Sequence, residues 1–200
     1  MLFYKIIYVI FMPLFRLVYR IRTTGKENFP TDAAVVCANH SSMLDPIFLC
    51  IACGLHTNWA FMGKAELMKV PVINLILKGL KVIPVNRGAT DISTLRNAIS
   101  ALGDGKKVMI FPEGTRVRDG EESAGAKTGA AMIASRAKVT MVPVYISTKK
   151  HLFGRVDVII GKPVSTDIEE KGQAKYKLLA GRVFDEIMSL GNGGANHGGN

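Results

Sequence analysis

Cysteine is sparse in this chain. The three residues, Cys37, Cys50 and Cys53, all lie inside apolar runs. An odd, small set excludes a disulfide framework. Cys50-Ile-Ala-Cys53 has ligand-like spacing, but no second Cys or His pair stands near it in sequence, so no metal site is expected. Acidic residues are also in short supply, 16 against 26 Lys plus Arg, for a net charge of +10. That balance excludes an acidic solvating chain and favours polyanionic partners: nucleic acid, anionic lipid or an acidic carrier protein. No helix-turn-helix, zinc-finger or aromatic RNA-binding signature appears, which removes nucleic acid. Within residues 1–22 the longest uncharged run, Ile6 to Phe15, is ten residues and contains Pro13. A spanning helix needs about twenty, and no small-residue cleavage site follows to suggest a secretory signal.

With 48% hydrophobic and 21% charged residues in 200, the chain has material for one full core. Residues 1–25 read as a separate N-terminal segment. Lys5, Tyr8, Met12, Arg16 and Tyr19 fall at helical spacing and mark its more polar stripe, the rest being Leu, Ile, Phe and Val. The pattern predicts a helix, broken or kinked at Pro13, lying in a membrane surface. The competing reading is a helix packed on the protein's own core. Arg16, Arg20, Arg22 and Lys26 behind it place the domain on the cytoplasmic face of the cell membrane.

Apolar, β-branched runs predict strands at 33–38, 59–62, 82–85, 108–111, 140–146 and 156–160. Helical patterns over 46–52, 65–80 (with Pro71 starting anew or kinking), 91–102, 126–137 and 167–190 alternate with them. The expectation is an α/β sandwich: a central, mainly parallel (mixed) sheet flanked by helices over residues 26–190. The Gly/Asn-rich tail, 191–200, is expected to be disordered.

Chemistry is concentrated at Asn39-His40-Ser41-Ser42-Met43-Leu44-Asp45-Pro46, between a predicted strand and a predicted helix. Asp45 before Pro46 reads as an N-cap. Five residues along a helix would set His40 and Asp45 roughly 140° apart, so they converge only if the segment between them is a tight loop. A second constellation, Phe111-Pro112-Glu113-Gly114-Thr115-Arg116, sits at another predicted strand end. Gly114 allows close approach of backbone to ligand, and Arg116 offers a fork of donors for a phosphate. Arg87 and Lys64 follow other strands and point to the same rim. Lys127-Thr128-Gly129 is a weaker anion-binding candidate, and 117–125 a mobile loop beside the site.

Together these blocks resemble the glycerolipid acyltransferases typified by 1-acylglycerol-3-phosphate acyltransferase, whose signature is His, four residues, then Asp. His40 to Asp45 has that spacing. Ile83-Pro84-Val85-Asn86-Arg87 resembles the second block, Phe111 to Arg116 the third and Val142-Pro143-Val144 the fourth. Lys64-Ala65-Glu66-Leu67 resembles the lysine segment between the first two. The likeness spans residues 33 to 146. Ala126 departs from the apolar residue that often precedes the Lys-x-Gly element.

The resemblance implies transfer of an acyl group from a thioester to the free hydroxyl of a lysophospholipid. His40 would be general base and Asp45 its orienting carboxylate. Arg116, Arg87 and Lys64 would hold the phosphate, with Glu113, Gly114 and Thr115 completing the acceptor site. No metal or resident cofactor is needed; coenzyme A or an acyl carrier protein brings the acyl group as co-substrate. Glycerol 3-phosphate or another lysophospholipid is the alternative acceptor, and a non-catalytic basic membrane-binding module the alternative class. Ser41 and Ser42 raise a Ser–His–Asp alternative, but no Gly-x-Ser-x-Gly elbow surrounds them.

Overall fold

The computed structural model describes residues 2–85, 92–117, 121 and 125–195, without the side chains of Val72, Gly194 and Ala195. A seven-stranded sheet runs through it: β1 Arg20–Thr24, β2 Ala34–Ala38, β3 Trp59–Lys64, β4 Ile83–Val85, β5 Lys107–Ile110, β6 Thr140–Ile146 and β7 Arg155–Ile160. The spatial order is β1-β7-β6-β2-β5-β3-β4. Every neighbouring pair is parallel except β6 with β7, so the sheet is mixed and mostly parallel, as the alternating pattern predicts.

β2 is the centre. Val36 stands opposite Met109 on one side and Val142 on the other. All five of its residues are fully buried, which is why it reads as a continuous apolar run rather than an alternation. Two layers of helix cover the sheet. On one face lie α4 Ile92–Gly103, α5 Gly129–Ala137 and α6 Gly172–Ala195, sharing a core of Ala98, Leu102, Ala131, Ala134, Leu179, Val183 and Ile187 with Val35 and Val108. On the other lie α1 Leu2–Val18 and α2 Asp45–Cys53, packed with Val36, Trp59, Val142 and Val158. Phe48 and Leu49 of α2 have no exposed surface, and burying each stabilises the fold by about 1.5–3 kcal/mol.

Several expectations need correcting. The first strand, Arg20–Thr24, was not expected: it is short, charged and at the sheet's edge, with an exposed–half-buried alternation. Residues 20–24 pair with β7, so the sheet begins inside the segment that reads as a detached anchor over 1–25. Pro13 does not break α1, which is continuous from Leu2 to Val18. Pro13 and Val9 are both exposed, so the carbonyl that proline leaves unpaired lies at the surface.

The faces of α1 are also inverted. Its tyrosines look inward: the Tyr4 hydroxyl donates to the Gly54 carbonyl at 3.4 Å and Tyr8 to Ile51 at 3.5 Å. Tyr19 meets Phe48 edge-on at 5.1 Å. Tyrosine buries a ring while its hydroxyl reaches a carbonyl, and the stripe that looks polar is half interior. Leu2, Ile6, Val9, Ile10, Leu14 and Leu17 remain exposed. Among the described residues no helix is long and apolar enough to cross a membrane.

The 65–80 helix resolves into a 3-10 turn at Ala65–Lys69 and α3 Pro71–Gly79, with proline starting the second piece. α6 begins at Gly172 and runs five residues beyond Leu190. Residues 191–195 of the tail are therefore helical, and 196–200 lie outside the described residues. Gly191 lies against the Tyr145 ring, where a methyl group would come within 2.5 Å. Glycine there lets the helix dock rather than fray.

Candidate active site

Four parallel strands, β6, β2, β5 and β3, end side by side on one rim. The loop leaving β2 enters α2 on one face, while the loop leaving β5 leads to α5 on the other. Adjacent strands whose connections part to opposite faces open a crevice at their carboxyl ends, the usual ligand site of such sheets. His40 and Glu113 stand on its two lips.

The β2 exit is pinned before His40 is reached. Asn39, 5% exposed, accepts from the Ile146 N–H at 2.7 Å and donates to the Ile146 carbonyl at 2.9 Å. Its side chain thus closes the end of β6 as another strand residue would. Next, the His40 N–H donates to Glu113 Oε1 at 2.8 Å, and the His40 carbonyl accepts from Val117 N–H at 2.8 Å. The backbone of His40 is held on both sides by the loop after β5. Its ring stacks on Phe111, with centroids 4.1 Å apart and planes tilted by 21°.

The ring's Nδ1 lies 3.0 Å from Asp45 Oδ2, and the His40 side chain is 15% exposed. An N–H at Nδ1 leaves Nε2, on the far edge of the ring, as the basic nitrogen. The tight loop that this pairing requires is therefore present. Asp45 is not the N-cap expected of it: it is the first residue of α2, Leu44 is the cap, and no side-chain cap bond is made. Its carboxylate turns back instead and accepts from Ser41 N–H and Ser42 N–H, both at 2.7 Å, at the same Oδ2. Three donors on one oxygen fix the carboxylate in the plane that His40 needs.

The other oxygen faces a residue that the sequence pattern did not flag. Lys150 Nζ lies 2.9 Å from Asp45 Oδ1, with side chains 6% and 0% exposed, and donates to Ser41 Oγ at 2.7 Å. The ammonium acts on Oδ1 chiefly by its charge, with a smaller hydrogen-bonding contribution. Burial alone would raise the Asp45 carboxyl. The His40 contact, the Lys150 charge and the Ser42 N–H outweigh it and hold the group below the ordinary carboxylate value. Asp45 is an anion at neutral pH. Both serine hydroxyls are engaged elsewhere: Ser41 Oγ accepts from Lys150, and Ser42 Oγ from Leu44 N–H at 3.2 Å. That arrangement does not suit a Ser–His–Asp nucleophile.

On the opposite lip, Gly114 adopts φ +71° in the turn that closes with its N–H on the Phe111 carbonyl at 3.0 Å. A methyl group there would sit 2.8 Å from Lys127 Nζ. The weaker candidate, Lys127, thus lies directly over the glycine and is anchored by its N–H on the Pro112 carbonyl at 2.8 Å. Glu113 is buried, while Thr115 and Arg116 are exposed on the loop whose next residue bonds to His40. Lys64 ends β3 on the same rim, two strands from β2 and so roughly 10 Å away. It is 40% exposed and paired with Glu66 at 3.4 Å. Arg87 and residues 118–120 and 122–124 of the expected mobile loop lie outside the described residues.

A family model described as acyltransferase matches residues 20–147, which include both lips of this crevice. The chain belongs to the acyltransferase family. It is 34% identical over 150 residues to a protein named 1-acyl-sn-glycerol-3-phosphate acyltransferase from Bacillus subtilis, covering 72% of this chain and 73% of that one. It is 30% identical to the chloroplastic enzyme of that name from Arabidopsis thaliana, covering 73% of this chain but only 44% of the longer relative. The crystal structure of the 1-acyl-sn-glycerophosphate acyltransferase from Thermotoga maritima shares the fold with a TM-score of 0.61 at 30% identity, over 84% of this chain and 72% of that one.

Within the acyltransferase frame, the structure brings His40, Asp45, Glu113 and Gly114 into contact or one step from it, with Thr115 and Arg116 on the same loop. Asn39 lies inside the quoted motif, but nothing in its identity announces a strand-closing role. Lys150 is 105 positions from Asp45 in sequence. Its only signal is its place four residues after β6, a mostly apolar strand beside β2, whose exit loop carries His40.

Proposed function

We propose that this acyltransferase moves a fatty acyl group from a thioester to the sn-2 hydroxyl of 1-acylglycerol 3-phosphate, forming phosphatidate at a membrane surface. The observation that carries the proposal is the His40 Nδ1–Asp45 Oδ2 pair at 3.0 Å, set in the crevice between β2 and β5 beside a loop bearing Arg116. The names of the relatives support the choice of acceptor.

His40 Nε2 takes the proton of the acceptor hydroxyl as its oxygen attacks the thioester carbonyl. The carbonyl becomes a tetrahedral oxyanion, and its collapse expels the thiolate, which receives the proton from the imidazolium. Asp45 holds the ring in the Nδ1–H form and offsets the charge that develops on it. Arg116 and Lys127, with Lys64 further along the rim and Arg87 by its likeness to the family's second block, grip the acceptor's phosphate and leave its free hydroxyl toward His40. Gly114 gives Lys127 its room. The Gly114 N–H is engaged with Phe111, so oxyanion stabilisation falls to the neighbouring cations or to backbone further along the loop. The thioester arrives already activated, whether on coenzyme A or on an acyl carrier protein, and the reaction calls for neither a metal nor a resident cofactor.

Membrane attachment is assigned to α1, whose exposed row from Leu2 to Leu17 has the size and shape of an interfacial face. The basic residues Arg16, Arg20, Arg22 and Lys26 behind it favour the anionic cytoplasmic leaflet. The test is product analysis by mass spectrometry. Purified protein is given coenzyme A or carrier-protein thioesters with 1-acylglycerol 3-phosphate, glycerol 3-phosphate or lysophosphatidylcholine. Phosphatidate as the dominant product is expected. Activity confined to glycerol 3-phosphate or to lysophosphatidylcholine overturns the choice of acceptor.

A further inference from the structure

The turn joining β6 to β7 holds two large apolar side chains outward, Leu152 at 69% and Phe153 at 67% exposure. Its backbone is tied down. The Phe153 N–H donates to the Val18 carbonyl at 2.7 Å, Gly154 N–H to His151 at 2.9 Å, and Arg20 N–H to Gly154 at 3.0 Å. Phe153 also occupies φ +62°, a left-handed conformation that is unfavourable for a bulky aromatic residue. The core gains nothing from these two side chains, since neither is buried. The strain makes sense only if their outward placement has a use.

Val18 is the last residue of α1, so the turn abuts the end of the helix that carries exposed Leu14 and Leu17. The exposed cations Arg16, Arg20 and Arg155 lie in the same short stretches of chain, Arg155 being paired with Asp157 at 2.8 Å. We infer that Leu152 and Phe153 form a second lipid-contact point, entering the apolar layer of an anionic bilayer beside α1. This rests on the membrane reading of α1 given above. A lipid surface suits the turn better than a protein partner: two exposed side chains on one turn fall far short of the ~800 Å² per partner of a stable protein interface. The flanking cations match anionic headgroups. The same turn carries Lys150, whose ammonium lies 2.9 Å from Asp45, so one side chain links the contact point to the catalytic pair. Seating the tip would aim the crevice at the leaflet from which the acceptor is drawn.

The test uses the full chain and vesicles of phosphatidylcholine and phosphatidylglycerol with brominated acyl chains. Fluorescence of F153W and, separately, L17W is followed over the constant background of Trp59, which is buried. Quenching of both variants is expected. Quenching of L17W with none of F153W overturns the inference and leaves the α1 reading standing; quenching of neither overturns both. A second variant, L152S/F153S, should bind the vesicles about tenfold or more weakly and lose turnover on vesicle-borne acceptor in proportion. A short-chain, water-soluble acceptor should be turned over at an unchanged rate. Equal losses on the two acceptors would show a disturbed site rather than a lost lipid contact, and would refute the inference.

Discussion

Replacing Asp45 with Asn tests the role proposed for its carboxylate most sharply, because the structure separates its structural from its chemical contribution. At 3.0 Å from His40, a full charge on the carboxylate stabilises an imidazolium by at most about 5.5 kcal/mol in an effective dielectric of about 20. Lys150, 2.9 Å from the other oxygen, offsets part of that field. The remainder matches a loss of about 10²–10⁴ in kcat. A carboxamide fits neither way round. With its oxygen toward Ser41 and Ser42, its NH2 faces the ammonium; reversed, it sets donor against donor. Lys150 would be left nearly buried without its counter-charge, costing about 3–5 kcal/mol of stability.

The variant D45N therefore conflates two losses, and D45N/K150M separates them by removing the stranded cation. The assays are acyl transfer at saturating substrates and the urea midpoint of each variant. The double variant should recover stability, with a coupling of at least about 1 kcal/mol between the sites, while kcat stays as low as in D45N. Recovery of the rate along with the fold would refute the reasoning, for it would make Asp45 a folding residue alone.

Arg116→Ala should raise the acceptor's KM about tenfold or more, through loss of a charge-assisted contact, and leave the thioester's KM unmoved; initial rates against each substrate decide it. Asn39→Ala leaves both backbone groups of Ile146 without their bonds and should cost about 2–4 kcal/mol, read from chemical denaturation. The depressed Asp45 carboxyl contributes stability that is present above the unfolded-state value of about 3.9 and is lost as pH falls through the lower folded value. Urea midpoints measured down the acid limb should fall in the native chain, and less steeply in D45N/K150M.

The sheet was largely legible because its central strands are buried on both faces, and continuous apolar runs such as Ala34–Ala38 declare themselves. β1 was not, since Arg20-Ile21-Arg22-Thr23-Thr24 is an edge strand whose outward residues, Arg20, Arg22 and Thr24, are all polar. Its pairing depends on β7, over 130 residues away. The faces of α1 were misread for a related reason: tyrosine is polar by label, yet it packs by its ring. At the site, the His40–Asp45 spacing was readable as a motif and as loop geometry. The direction of Asp45 was not, because capping α2 and turning back to Ser41 and Ser42 are both open to a carboxylate at that position. Lys150 illustrates the general limit. A cation brought to the site by strand order rather than by local sequence leaves no periodic trace.

The proposed reaction requires His40 as its base. The direct measurement is kcat for acyl transfer to 1-acylglycerol 3-phosphate in His40→Ala, with the fold checked by circular dichroism and the acceptor's KM measured alongside. The prediction is a fall of about 10²–10⁴ in kcat with the KM held within a few-fold. A folded variant that retains more than a tenth of the native rate would contradict it.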